Sequence, residues 1–360
     1  MQLLPKGHNV ANTFELQQPP VQSEPTDAKG SSPVNHTSKD TPKVKKRWID
    51  FALDNIVWIL LVVFVLIGAL MNPFFLSVPN FQNILVQATT LGFLGVAIAM
   101  CMLLGEIDLS VVGILGFSGA VGAVAMQNGV PGFLGILIVL GIGALIGFIN
   151  GICVAKLRMT SLIETLAMGL VLGGGVLAIT RGQTVSITEQ AFTWLGQGRI
   201  ATWPVMPIAL VLLFVAVTVF LYRTPMGRKI YAAGGNRRAA YAAGINTKNL
   251  VIATFTFSGL LAAVAGWLTT AYLGGVNPTL GSSDMLLYAI AAPVIGGVAL
   301  TGGRGATIGI LGGVLLLTVV QVGLQVINID AYYVGVVGGA MIFLAVIVDA
   351  IRVRRRQAAE

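Results

Sequence analysis

Along most of the chain, apolar residues run in unbroken blocks separated by short polar or basic stretches. The blocks fall at 51–71, 82–104, 107–127, 132–155, 160–180, 204–222, 250–273, 284–301, 306–326 and 331–351. Each is close to the roughly 20 residues that a helix needs to cross a bilayer. A membrane β-barrel would instead show segments of about ten residues alternating apolar and polar. The pattern therefore predicts an all-α polytopic membrane protein of ten transmembrane helices. Residues 1–46 are rich in Pro, Ser, Thr, Asn, Gln and Lys and hold too few large apolar groups to offset ordering entropy, so a disordered tail is expected. The first apolar block is too long for a signal-peptide core and lacks a small-residue cleavage site, so that span is expected to be retained.

Composition agrees with this reading. Of 360 residues, 56% are hydrophobic and 10% charged, against roughly 25% charged in soluble domains, and the spans leave no room for a large extramembrane enzyme. Both histidines, His8 and His36, lie in the tail, which argues against haem, metal or proton-relay chemistry in the membrane. Cys101 and Cys153 sit within apolar blocks and read as small buried side chains, not a disulfide.

The net charge of +8 raises nucleic acid as a partner, but its distribution points to a membrane instead. If the Lys43–Arg47 cluster is cytoplasmic, 20 of the 22 basic residues fall on that side, leaving only Arg181 and Arg199 outside. That asymmetry places both termini in the cytoplasm. Two connections exceed turn length, an inner loop at about 223–249 and an outer loop at about 181–203, and the others are expected to be tight turns.

Several features could carry function. Gly143-Gly147-Gly151 and Gly305-Gly309-Gly313 are small-residue ladders of the kind that let membrane helices approach closely. The inner loop contains an Ala-rich stretch, 239–243, that suits a short helix ending at Gly244. Its smooth surface, with Arg228, Arg237 and Arg238, fits a cleft with acidic rims on another protein. Acids near the membrane are Glu106, Asp108, Glu164, Asp284 and Asp349, and a centred charge costs roughly 2.5–3.5 kcal/mol on insertion scales. Asp284 is expected to cap its helix, Asp349 to sit beside the Arg352–Arg356 tail, and Glu164 to cap or pair near Lys156 and Arg158. Asp108 and Ser110 follow a helix break at Gly105, where they either line a pathway or pin neighbouring helices. Glu106 and Asp108 would diverge by about 200° on a helix, which argues against paired-carboxylate hydrolysis. Asn150, Gln87, Thr89, Thr90, Ser118 and Phe257 offer hydrogen bonds or an aromatic face to a neutral polyol.

The inner loop, followed by Thr254-Phe-Thr-Phe-Ser-Gly-Leu-Leu-Ala-Ala-Val-Ala-Gly266, resembles the coupling segment and next helix of the ribose-type permeases of bacterial ABC sugar importers. Gly105-Glu-Ile-Asp-Leu-Ser110, Asn277-Pro-Thr-Leu-Gly281, Ala289-Ile-Ala-Ala-Pro-Val-Ile-Gly-Gly297 and Gly302-Gly-Arg-Gly305 resemble further elements of that family in order, over about residues 50–350. The chain departs from the pattern at Glu106, where a second Gly is common, at Val112, and at Val298-Ala299.

The resemblance implies a permease domain over 47–356 in the bacterial cytoplasmic membrane. It implies that Gly227, Arg228, Gly234, Gly235, Asn236, Arg237, Arg238, Ala239, Ala240, Gly244, Ile245 and Asn246 form the docking surface for a separate ATPase. Asp108, Ser110, Asn150 and Phe257 are the pathway candidates. No phosphate-binding loop, and no Gly-Lys pair, occurs in the chain, so ATP is expected to be used by the partner and no cofactor bound here. A periplasmic or lipid-anchored sugar-binding protein and a second permease chain, identical or different, complete the expected partners. The substrate expected is a monosaccharide or related polyol, such as a pentose, hexose or inositol. Alternatives are a permease for branched-chain amino acids or nucleosides, or an ion-coupled secondary transporter, which would need coupling carboxylates deep in the bundle.

Overall fold

The computed structural model describes residues 55–281 and 283–329, with 333, 335, 336, 338–340, 343 and 347 beyond them. The expected tail, the start of the first span, the side chain of Asp284, Asp349 and most of the tenth span lie outside the described residues.

The helices are α1 (Ile56–Met71), α2 (Val78–Leu103), α3 (Val111–Gln127), α4 (Gly132–Ala155), α5 (Ser161–Thr180), α6 (Gln190–Gln197), α7 (Met206–Arg223), α8 (Pro225–Gly235), α9 (Arg237–Ala242), α10 (Thr247–Leu273), α11 (Ser283–Ile295) and α12 (Thr307–Val326). Six of them, α2, α4, α5, α7, α10 and α12, are long and apolar enough to cross a membrane, and α1, α3 and α11 are shorter apolar helices. The protein is a polytopic, helical membrane protein.

The core forms around α2. Every residue from Ala88 to Leu103 is buried, beneath α10, α12, α11, α7 and α3. By contrast, α5 and α7 bury one side and turn residues such as Leu170, Val171, Val211 and Leu212 outward, as helices bathed in lipid do. The approach of α4 to α10 is set by glycine. A Cβ on Gly151 would stand 2.7 Å from the Ile252 Cα, one on Gly147 3.1 Å from the Gly259 Cα, and one on Gly143 would meet Ala263. Gly309 and Gly313 of α12 likewise abut the backbone of Gly296 and Ala292. Lipid offers no hydrophobic drive for association, so this backbone contact supplies the packing attraction.

Helix ends depart from the hydropathy pattern where local chemistry overrides it. The third block begins helically at Val111 and not at 107, because Gly105 adopts φ +79° and residues 104–110 form a non-helical elbow. The helix of the eighth block, α11, ends at Ile295, short of 301, two residues after Pro293 and just before Gly297 with φ +85°. The outer loop is ordered. It holds α6 and two-residue strands β1 (Val185–Ser186), β2 (Arg199–Ile200) and β3 (Trp203–Pro204), with β4 (Gly275–Val276) in the next outer connection. β1 pairs antiparallel with β4, Val185 opposite Val276, and β2 with β3. The connection at 274–281 is thus more than the tight turn expected, because the buried Val185, Ile187 and Val276 form an apolar seam beneath it. The Trp267 indole N–H, donating to the Phe192 carbonyl at 3.0 Å, fastens α6 to α10.

Gly147→Val should destabilise the protein by about 1–3 kcal/mol through overpacking, whereas Gly141→Ala, with nothing within 4 Å of its Cβ position, should not. Thermal unfolding in detergent tests the pair, and equal midpoints would refute the packing assignment.

Candidate functional site

The elbow between α2 and α3 gathers three further helices, α4, α5 and α10. Asp108, Ser110, Asn150 and Ser258 are all fully buried there. The Ser110 backbone N–H and hydroxyl donate to Asp108 Oδ1 at 3.0 and 2.6 Å. The Ser258 hydroxyl of α10 donates to Oδ2 at 2.9 Å, and the Asn150 amide of α4 donates to Ser110 Oγ at 2.8 Å. On the other side, the Leu109 N–H donates to Thr165 Oγ1 at 2.9 Å and the Ile107 N–H to Ser161 Oγ at 3.3 Å, both at the start of α5. The backbone groups that the helix break frees are thus answered by side chains. Three of the four pathway candidates come together here, in an arrangement that pins helices to one another and leaves no atom of Asp108 to line a channel.

Two residues before Asp108, Glu106 Oε1 accepts from Arg237 Nη2 at 2.8 Å, with the acid 12% and the arginine 47% exposed. It is the one ion pair among the described residues, and it joins the elbow to the first residue of α9.

The inner loop folds as two helices where one was expected. Thr224 caps α8 by accepting from the Gly227 N–H at 3.1 Å, with Pro225 at the first turn. Asn236 caps α9 by accepting from the Ala239 N–H at 2.9 Å. The Ala-rich helix ends at Ala242, and Gly244 turns the chain with φ +84° before Asn246 caps α10 through the Asn249 N–H at 3.1 Å. α8 lies against the end of α2 and the turn at 302–305. A Cβ on Gly234 would meet the Leu103 carbonyl and stand 2.6 Å from the Gly303 nitrogen, and a Cβ on Gly303 would stand 2.6 Å from the Gly235 Cα. The Gly303 N–H donates to the Leu103 carbonyl at 2.8 Å. The Tyr231 hydroxyl donates to the Gly305 carbonyl at 2.9 Å, and burial, with Tyr222 beside it, pushes its ionisation well above the usual phenol range, so it remains a donor. α9 stands clear of this platform. Only Ala240 is buried, while Arg237, Arg238 and Ala239 are exposed and Tyr241 is 73% exposed.

The other candidates separate. Phe257 stacks on Phe220, with centroids 5.6 Å apart, and lines a lateral groove with Phe148 and Lys156, away from Asp108. Its neighbour Ser258 faces the elbow, because successive helical residues diverge by about 100°. Thr89 and Ser118 donate to carbonyls of their own helices, those of Leu85 and Leu115. Glu164 lies in the first turn of α5, but it forms no ion pair with Lys156 or Arg158; its Oε2 is buried without a partner among the described residues. Gln87 and Thr90 open on a cleft near the other end of the bundle.

The family described as "Branched-chain amino acid transport system / permease component" matches residues 80–346. The chain belongs to this permease family. The permease is 37% identical to the ribose import permease RbsC of Escherichia coli K12 over 295 residues, 81% of this chain and 92% of that protein. It is 34% identical to the L-arabinose permease AraH of Azospirillum brasilense (84% of this chain, 89% of that protein). It is 35% identical to the fructose import permease FrcC of Rhizobium meliloti (78% and 81%). No solved structure is significantly similar. The permease is a multi-pass transporter subunit and not an enzyme.

Sequence reasoning missed α8, Ser258, Tyr241 and the partner of Glu106. The Thr224-Pro225 pair was a signal for α8, since Thr at the cap and Pro at the first position mark a helix start. Tyr241, an aromatic within an Ala-rich helix, was a signal for a contact.

Ser258→Ala should leave Asp108 Oδ2 without its donor and destabilise the permease by about 1–3 kcal/mol. Glu106→Gln, breaking a half-exposed pair, should cost at most about 1 kcal/mol. Chemical or thermal unfolding of the two variants checks this, and a larger loss for Glu106→Gln would invert the ranking.

Proposed function

We propose that the chain forms the membrane pathway of an ATP-driven importer for a neutral monosaccharide or related polyol, with residues 47–356 as the permease domain. Ten spans, both termini in the cytoplasm, a cytoplasmic tail over 1–46 and a coupling loop over about 223–249 fit the basic-residue asymmetry. The separate ATPase carries the nucleotide. A periplasmic or lipid-anchored binding protein delivers the sugar, and a second permease chain, identical or related, completes the pathway. The relatives named for ribose, arabinose and fructose favour sugar, while the family description also covers branched-chain amino acids.

The observation that carries the reading is the exposed α9 mounted on a platform of backbone contacts. Arg237, Arg238, Ala239, Tyr241 and Gly244 present a surface for the ATPase. Arg228 adds charge. Gly227, Asn236, Ala240, Ile245 and Asn246 shape the two helices, and Gly234 and Gly235 seat them on Leu103 and Gly303. Displacement of α9 reaches the elbow along two routes, through the Gly234 contact and through the Arg237–Glu106 pair. From the elbow, Asp108, Ser110 and Asn150 carry it to α3, α4 and α10, while Phe257 lines a wall of α10. A partner shifts the equilibrium only by contacting two states differently, and a surface tied to the bundle at fixed points can transmit such a difference.

Solubilising the tagged protein from its native membrane and identifying stoichiometric companions by mass spectrometry tests the reading. An ATPase subunit supports it, and reproducible absence after crosslinking favours an ion-coupled transporter. In the assembled complex, Tyr241→Ala should weaken ATPase association about tenfold or more, as removal of an exposed aromatic anchor does. The double variant Arg237→Glu/Arg238→Glu should also weaken it, while Arg181→Glu on the opposite side should not. Wild-type co-purification and uptake in the first two would sink the docking assignment.

A further inference from the structure

At the end of the bundle opposite α9, a cleft of about 370 Å³ opens between α2, α10, α11 and α12. Gln87 and Thr90 reach it from α2, Thr269 and Tyr272 from α10, and Gln321 and Gln325 from α12. Thr269 donates its hydroxyl proton to the Ala265 carbonyl at 2.7 Å, so in the 2.9 Å contact between the two threonines Thr90 is the donor. Both hydroxyl oxygens keep acceptor capacity toward the cleft. The Gln87 amide nitrogen donates to Asn83 Oδ1 at 3.2 Å and reaches Gln325 Oε1 only at 3.5 Å, and the Gln321 side chain makes no hydrogen bond among the described residues.

Three glutamines from two apolar helices converge there with their hydrogen-bonding capacity largely unspent, a polar lining on which water can be exchanged for a polar visitor. The chemistry of the lining defines the visitor. Among the described residues that line the cleft none is Asp, Glu, Lys or Arg, so these residues offer the carboxylate and ammonium of an amino acid no charged partner. Amides and hydroxyls, which both donate and accept, match a neutral ligand carrying several hydroxyl groups. Tyr272, 44% exposed, offers a ring face to the C–H side of a sugar. The volume sits at the small end of ligand sites, about 300–1,000 Å³, as a monosaccharide requires.

We propose that this cleft is the receiving site at which the sugar, once released on the outer side, first binds the permease. The proposal rests on the reading of the chain as a sugar importer and adds the site and the groups that hold the ligand. Binding there is weak, because neutral hydrogen bonds in an open cleft exchange readily with water, and weak binding is what onward passage needs.

The test uses the complete transporter, with its ATPase and binding protein, in proteoliposomes, and labelled ribose, arabinose and fructose as probes. Gln87→Met/Gln321→Met keeps side-chain length and removes the amides, and Gln321→Trp fills the space. For the probe that the wild type transports, the methionine pair should lower uptake about fivefold or more, the factor that one lost hydrogen bond of ordinary strength implies. The tryptophan variant should lower it further. Both should still assemble with the ATPase and respond to the loaded binding protein with faster ATP hydrolysis. Full uptake by both variants overturns the proposal. Lost uptake together with lost stimulation also overturns it, since the cleft would then serve the binding protein and not the sugar. Failure of the wild type to take up any neutral sugar would instead strike the importer reading itself, and uptake of leucine by that same preparation would mark the amino acid alternative.

Discussion

Asp108 lies at the joint between α2 and α3 with no exposed atom, and its two oxygens are held by Ser110 on its own segment and Ser258 on α10. A carboxyl group cannot sit in such a place unless the protein supplies its donors. Once they are supplied, the helices that carry them are fixed in register, because the geometry of short hydrogen bonds tolerates little displacement. Ser110 in turn accepts from Asn150 of α4, and the neighbouring backbone is caught by Thr165 and Ser161 of α5. One break in one helix thereby sets the positions of three others.

The end of the bundle that carries α8 is built outward from that joint. Leu103, the last residue of α2, accepts from Gly303 and is overlain by Gly234, so the turn at 302–305, the end of α8 and the central helix meet through main chain. Gly302 and Gly303, at φ +89° and +72°, hold backbone shapes that side chains disfavour. Beyond this seat lies α9, which Arg237 ties back to Glu106 while Arg238, Ala239 and Tyr241 stay exposed. The division between a close-packed seat and an exposed helix follows from which residues carry side chains and which do not.

Much of the helical layout was legible because bilayer thickness imposes a length that hydropathy records directly. The errors came where apolar residues continue past a backbone break. Ile107 and Leu109 extend the third apolar block although Gly105 has already turned the chain. Val298 and Leu300 extend the eighth although Pro293 and the Gly296-Gly297 pair end the helix. The pinning cluster was legible in part, since a carboxylate beside a predicted break stands out, but on α10 the sequence reading named Phe257 as a candidate and passed over the neighbouring Ser258, which faces Asp108, a difference of helical phase that a single sequence does not encode. The Arg237–Glu106 pair joins positions 131 apart in sequence, and no local pattern announces such a meeting. The expectation of a coupling segment came from resemblance to a family; its composition alone describes any basic loop.

The contact between α4 and α10 also bears on how the molecule moves. With Gly143, Gly147 and Gly151 set against Gly259, Ile252 and Ala263, the two main chains mesh like teeth, and no flexible side chain lies between them to absorb a slip. A partial slide would drive each gap onto a neighbouring bulk, so intermediate registers are closed to the pair. The two helices travel together as a single strut, and any change of shape during a transport cycle has to be taken up at the joints around them.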